Sequence, residues 1–237
     1  MEKLIKELSR LRAKLPREER VILSDDVVDK LYAVFPFNKF EYIISHLIAK
    51  QIIDLKEYLR LRSSYLQRNK YLYLYEIAPR TFGETWGQRH LMELVPELEH
   101  PSPQMDATYQ GQYDLWVKGI RVEVKASRAV HRRSGGTLTE KALSSKSKAR
   151  FDMNFQQIKP ACCDVFVWIA VWCDKIDYWV FSSREIEQNK YYSHGQHRGN
   201  TGEGQLWIKD TNYDDFEPYR VQPRDLLSKI LEKGKQV

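Results

Sequence analysis

Apolar positions along the chain change their period near residue 80, and that change divides the sequence. Before it, Leu4, Leu8, Leu11 and Leu15 recur at spacings of 4, 3 and 4, the stripe of a helix that Pro16 ends. Ser24, Asp25 and Asp26 supply caps for a second helix through Val27, Leu31 and Val34. Residues 40–53 predict a third, and 54–76 a basic fourth that carries Arg60, Arg62, Arg68 and Lys70. Residues 1–80 therefore predict a helical region, open to a helix-turn-helix-like or winged-helix-like DNA-binding module.

Residues 81–237 mix both periods. A helix is expected over 84–95, strands over 113–117 and 120–125, a short helix over 151–158, and a buried strand over 164–172 paired with another over 177–182. The rest is expected to be loop-rich until Pro223 opens a last helix. The fold class is α/β (α+β).

The segment with chemistry runs from Tyr113 to Lys125. If Lys118-Gly119 forms a two-residue hairpin turn, Val117 pairs with Ile120, Trp116 with Arg121, Leu115 with Val122, and Asp114 with Glu123. One face then holds Leu115, Val117, Ile120, Val122 and Val124, a set fit for a core. The other holds Asp114, Trp116, Arg121, Glu123 and Lys125. Two carboxylates directly opposite repel, with Cβ atoms about 4.5–5.5 Å apart. A divalent cation with a taste for oxygen, such as Mg²⁺, offsets that repulsion. Lys125 stands roughly 7 Å further along the same face, within reach of a phosphate or a metal-bound water. The alternative is a solvated strand face on which Glu123 pairs with Arg121 or Lys125.

Asp114, eight residues, then Glu123-Val124-Lys125 resembles the PD-(D/E)XK nuclease superfamily, especially its type II restriction endonucleases. The proline that usually precedes the acid is Tyr113 here. The resemblance covers roughly residues 83–183. It implies a restriction-endonuclease-like core, a central mixed β-sheet flanked by helices. Asp114 and Glu123 would bind Mg²⁺, and Lys125 would assist the attacking water or the transition state. Glu84 on the preceding helix would support the metal, with Glu93 as the other choice. Asn154, Gln156, Gln157 and Lys159 would stand on a polar helix after the motif. The implied activity is Mg²⁺-dependent hydrolysis of double-stranded DNA at a specific sequence, by a homodimer with one site per chain. A repair or junction-resolving nuclease of the same fold, an RNA-cleaving enzyme and a non-catalytic DNA-binding protein are the other readings.

Charge adds a partner surface. The chain has 38 Lys and Arg against 32 Asp and Glu, a net +6, and the excess is concentrated between residues 125 and 150, where Glu140 is the one acid. Arg128, Arg132, Arg133, Lys146 and Lys148 are thus candidates for phosphate contacts from a basic loop. Gln157, with Gln196, Arg198 and Asn200 in a glycine-rich segment, are candidates for base contacts, since amide and guanidinium groups match base edges. His194 and His197 lack a third nitrogen or sulfur ligand nearby in sequence. Three cysteines, two of them adjacent, make neither a disulfide framework nor a zinc site. The longest apolar run has eight residues, too few for a span, and the charged N-terminus lacks the apolar core of a secretory signal, so no membrane partner and a cytoplasmic location are expected.

Overall fold

The computed structural model describes residues 2–22, 34–133, 135–195 and 203–235. It divides into two compact units, residues 1–62 and 63–237. The first is helical, with α1 (Glu2–Arg12), α2 (Arg17–Ile22), α3 (Glu41–Ala49) and the start of α4 (Leu55–Arg68). Leu8 and Leu11 of the N-terminal stripe are exposed, and Leu15 is half-buried. The helix expected through Val27 and Leu31 lies outside the described residues. Among the described residues, no helix is long and apolar enough to cross a membrane.

The second unit is mixed α/β. Within it, a π-helical turn (Thr81–Trp86) runs straight into α5 (Gly87–Leu94). Then β1 (Leu115–Val117) and β2 (Ile120–Arg128) form the expected hairpin. Lys118 and Gly119 both take positive φ, +48° and +87°. That is the turn whose twist matches flanking strands, and it sets the pairing Val117–Ile120, Trp116–Arg121 and Leu115–Val122. β5 (Val165–Val171) lies parallel to β2, and β6 (Ile176–Ser182) and β9 (Arg220–Val221) complete a mixed sheet in the order β1-β2-β5-β6-β9. A second, antiparallel sheet has the order β3-β4-β8-β7, with β3 Val130–His131, β4 Phe151–Ile158, β7 Tyr192–His194 and β8 Gly204–Lys209.

The two sheets enclose an aromatic core. Phe166, Trp168 and Ala170, alternate residues along β5, and Trp172 just after it meet Phe151, Met153 and Phe155 of β4, with the Phe155 and Trp168 rings stacked 4.3 Å apart. The other face of the first sheet takes helices. Gly87 lets α5 close on Val124 and Ala126, and Gly234 of α6 (Leu226–Gly234) lies so near Ile120 that an added Cβ would stand 2.5 Å from its side chain. Ahead of α5, the buried Tyr75 hydroxyl reaches the carbonyls of Ala129 and Val171, tying residues 63–80 to the sheet.

Two expectations are corrected. Residues 151–158 are strand, not helix. Phe151, Phe155 and Ile158 fit helical spacing, but Met153 is also fully buried, and a period of two satisfies all four once a bulge is inserted after Phe155. The region after residue 190 is also not mainly loop: Gly204, Leu206 and Ile208 alternate inward along β8.

Candidate active site in the cleft beside β2

Asp114 stands one residue before β1, just beyond the last ladder pair Leu115–Val122, and its N–H donates to the Val122 carbonyl at 3.2 Å. One carboxylate oxygen of Asp114 accepts the Val124 N–H at 2.8 Å, and the other accepts the Gln88 side-chain amide at 2.7 Å. Glu123 accepts from the Lys125 ammonium at 2.7 Å, and their side chains are only 16% and 17% exposed. The two acids and the lysine thus meet at the open end of the hairpin.

Electrostatics mark the pair as strained in charge. Burial pushes the Asp114 carboxyl up, against the pull of the Val124 N–H and Lys125. Burial, and then the neighbouring Asp114, carry Glu123 up to about 7 despite Lys125. Holding both as carboxylates requires more positive charge than one ammonium provides. A hard cation would supply it, and Mg²⁺ is commonly held by one or two carboxylates with water completing its shell. Among the described residues no cluster of three or more His, Cys, Asp and Glu side chains is placed to hold a metal.

A cleft of about 800 Å³ opens beside them, lined by Asp114 and Lys125, by the helix residues Glu84 and Gln88, and by β4 and β8. Glu84 is 59% exposed and pairs with Arg80 at 2.8 Å; it faces the cleft without touching the acid pair. Glu93 pairs with Arg89. The helix residue that does touch Asp114 is Gln88, one turn after Glu84, which sequence reasoning missed although i, i+4 spacing places the two on one face.

The expected basic loop is only partly a loop, and its cations have different fates. Arg128 is 7% exposed, stacks 3.8 Å over Phe82 and donates to the Ile77 carbonyl at 2.6 Å. Burial lowers its pKa to about 10. Arg132 bridges Asp152 and Asp210. Arg133, Lys146 and Lys148 are exposed. Gln157 is exposed on β4 and lines the cleft. Gln196, Arg198 and Asn200 lie outside the described residues, as does His197, while His194 is exposed and packs edge-on to Tyr192.

No protein-family model matches this chain, and no curated protein sequence does. The site's geometry therefore carries the functional reading by itself.

These placements separate the cations by measurement. Neutralising Arg133, Lys146 and Lys148 should reduce the slope of log K against log[salt] for duplex DNA by roughly 0.9 for each phosphate that is no longer neutralised. Arg128→Ala should leave the slope alone and cost about 1–3 kcal/mol of stability, since it removes a buried stack and a hydrogen bond. A slope change with Arg128→Ala and none with the exposed three would reverse the assignment.

Proposed function

We propose that the protein is a Mg²⁺-dependent DNA endonuclease of the PD-(D/E)XK type, acting as a type II restriction enzyme. The observation that supports it is the convergence of Asp114, Glu123 and Lys125, two opposed acids with raised proton affinity and an ammonium, beside an open cleft. Asp114 and Glu123 would hold the cation, which supplies Lewis acidity toward the phosphate and a more acidic water. Gln88 and the Val124 N–H fix the orientation of the Asp114 carboxylate. Lys125, held by Glu123, stands ready to donate to the attacking water or to the charge that develops on phosphate oxygens. Cutting both strands in one encounter takes two such sites, which a homodimer with a two-fold axis provides along with a palindromic target.

Incubation with plasmid DNA, with and without Mg²⁺, tests the reading. Discrete fragments that require Mg²⁺ are expected. Salt-sensitive binding to DNA with no Mg²⁺-dependent cleavage of plasmid, single-stranded DNA or RNA would instead make it a non-catalytic binding protein.

A further inference from the structure

The cleft carries a second chemistry on its β4–β8 wall. Trp207 alternates with the buried Leu206 and Ile208 on β8, so its half-buried ring faces out into the cleft. Its cross-strand partner on β4 is Asn154, on the same face and also lining the cleft. The Lys209 ammonium lies 5.6 Å from the centre of the ring.

Next to them the strand breaks its own rule. Phe155 pairs with Leu206 and Ile158 with Gly204, so Gln156 and Gln157 together oppose the single residue Gln205. The bulge leaves both glutamines exposed and both lining the cleft, where regular alternation would turn one of them inward. Gln157 takes φ +54°, a left-handed conformation uncommon outside glycine. This irregularity is held in place. The Tyr192 ring lies against Gly204, where an added Cβ would meet it at 2.3 Å, and its hydroxyl donates to the Ile158 carbonyl at 3.2 Å. These contacts fix Gly204 and Ile158, the pair that closes the bulge, and so keep Gln157 in its sparsely populated conformation on the cleft wall.

We infer that this wall is a nucleobase subsite: one unstacked base lies against Trp207 while the Gln156 and Gln157 amides hydrogen-bond its edge. Primary amides offer a donor and an acceptor side by side, the pattern of base edges, and an aromatic ring accepts any base face. A base inside an intact duplex shows its edge but not its face. The subsite therefore takes a base from a single strand, or one extruded from a duplex at the step being cut. This inference rests on the nuclease reading of the cleft, to which it adds the substrate's conformation.

The test is binding without divalent cation, so that no strand is cut. The probes are short single-stranded DNA oligonucleotides carrying 2-aminopurine, or an abasic site, at successive positions. Wild-type protein should quench 2-aminopurine at one position, and an abasic site there should weaken binding about tenfold. Trp207→Ala should abolish the quenching and weaken binding by the same tenfold, and the abasic site should then cost nothing further, because variant and lesion remove one shared interaction. Trp207→Phe should retain most of the affinity, which separates absent stacking from a damaged fold. Gln157→Ala should alter the preference among bases and leave affinity for the abasic oligonucleotide unchanged. A fully paired duplex with the same probe distinguishes the sources: its fluorescence changes if the base is extruded and stays constant if only single strands are taken.

Additive losses from Trp207→Ala and the abasic site, binding with no probe response at any position, or no binding of the oligonucleotides would each overturn the subsite. Additive losses in a protein that still cuts DNA with Mg²⁺ would remove the subsite and leave the nuclease reading intact. Shared losses in a protein that cuts nothing would do the opposite.

Discussion

Asp114→Asn, Glu123→Gln and Lys125→Ala should each lower Mg²⁺-dependent cleavage of plasmid DNA by at least about a hundredfold, the scale of removing one preorganised charge from a transition state. Affinity for DNA should survive in all three. On the proposed function the two acid variants would act by loss of a ligand, and the lysine variant by loss of a donor beside the phosphate. Glu84→Gln should have a smaller effect, because Glu84 is tied to Arg80 on the cleft wall. The wild-type rate at limiting Mg²⁺ should rise as pH increases through about 7, where burial and Asp114 place the Glu123 carboxyl, since the cation needs the deprotonated pair. A variant of Asp114, Glu123 or Lys125 that cuts at near wild-type rate would remove that residue from the mechanism.

The second large effect is on stability, and its sign is the opposite of that for a structural ion pair. The Glu123 carboxyl is raised from an ordinary 4.5 to about 7 in the fold. The folded protein therefore keeps a proton that the unfolded chain gives up between those values. Stability from this pair falls as pH rises across that window, and above it the folded state bears two facing negative charges. Asp114→Asn removes one of them while retaining a carbonyl oxygen for the Val124 N–H or Gln88. At pH 8 without divalent cation, the variant should be more stable than wild type by on the order of 1 kcal/mol. Its melting temperature should rise by roughly 2–4 °C, and the gain should shrink at pH 5. Equal destabilisation at both pH values would make Asp114 a structural anchor of the ladder instead. A variant that gains stability and loses activity is the usual mark of a site that holds charge against the preference of the fold.

Much of this site is legible in the sequence because one local device sets it. A glycine in a two-residue turn and five alternating apolar residues fix the register of β1 and β2, and Asp114, one residue beyond that ladder, reaches Glu123 and Lys125 with its carboxylate held by the Val124 N–H and Gln88. The features that sequence conceals depend on partners distant along the chain or on broken periodicity. The bulge at Gln156 and Gln157 shifts the phase of β4, which puts Ile158 back into helical spacing with Phe151 and Phe155. The charge run from 125 to 150 gives the number of cations but not their directions. Arg132 finds Asp210, which is 78 residues away, and Arg128 finds a ring and a carbonyl in the preceding helical segment. Trp207 is hidden because β8 follows a glycine-rich stretch whose composition signals loop, although Leu206 and Ile208 flank it with strand alternation.

Calorimetric titration of the DNA-free protein with Mn²⁺, standing in for Mg²⁺, tests most directly whether the acid pair is a cation site. At pH 7, in two buffers of different ionisation enthalpy, saturable uptake accompanied by proton release is expected, because the cation would displace the proton that burial and the neighbouring Asp114 favour on Glu123. Both signals should vanish in Asp114→Asn and in Glu123→Gln. Absence of saturable uptake by the wild-type protein, or uptake unchanged in both variants, would contradict a cation site at the acid pair.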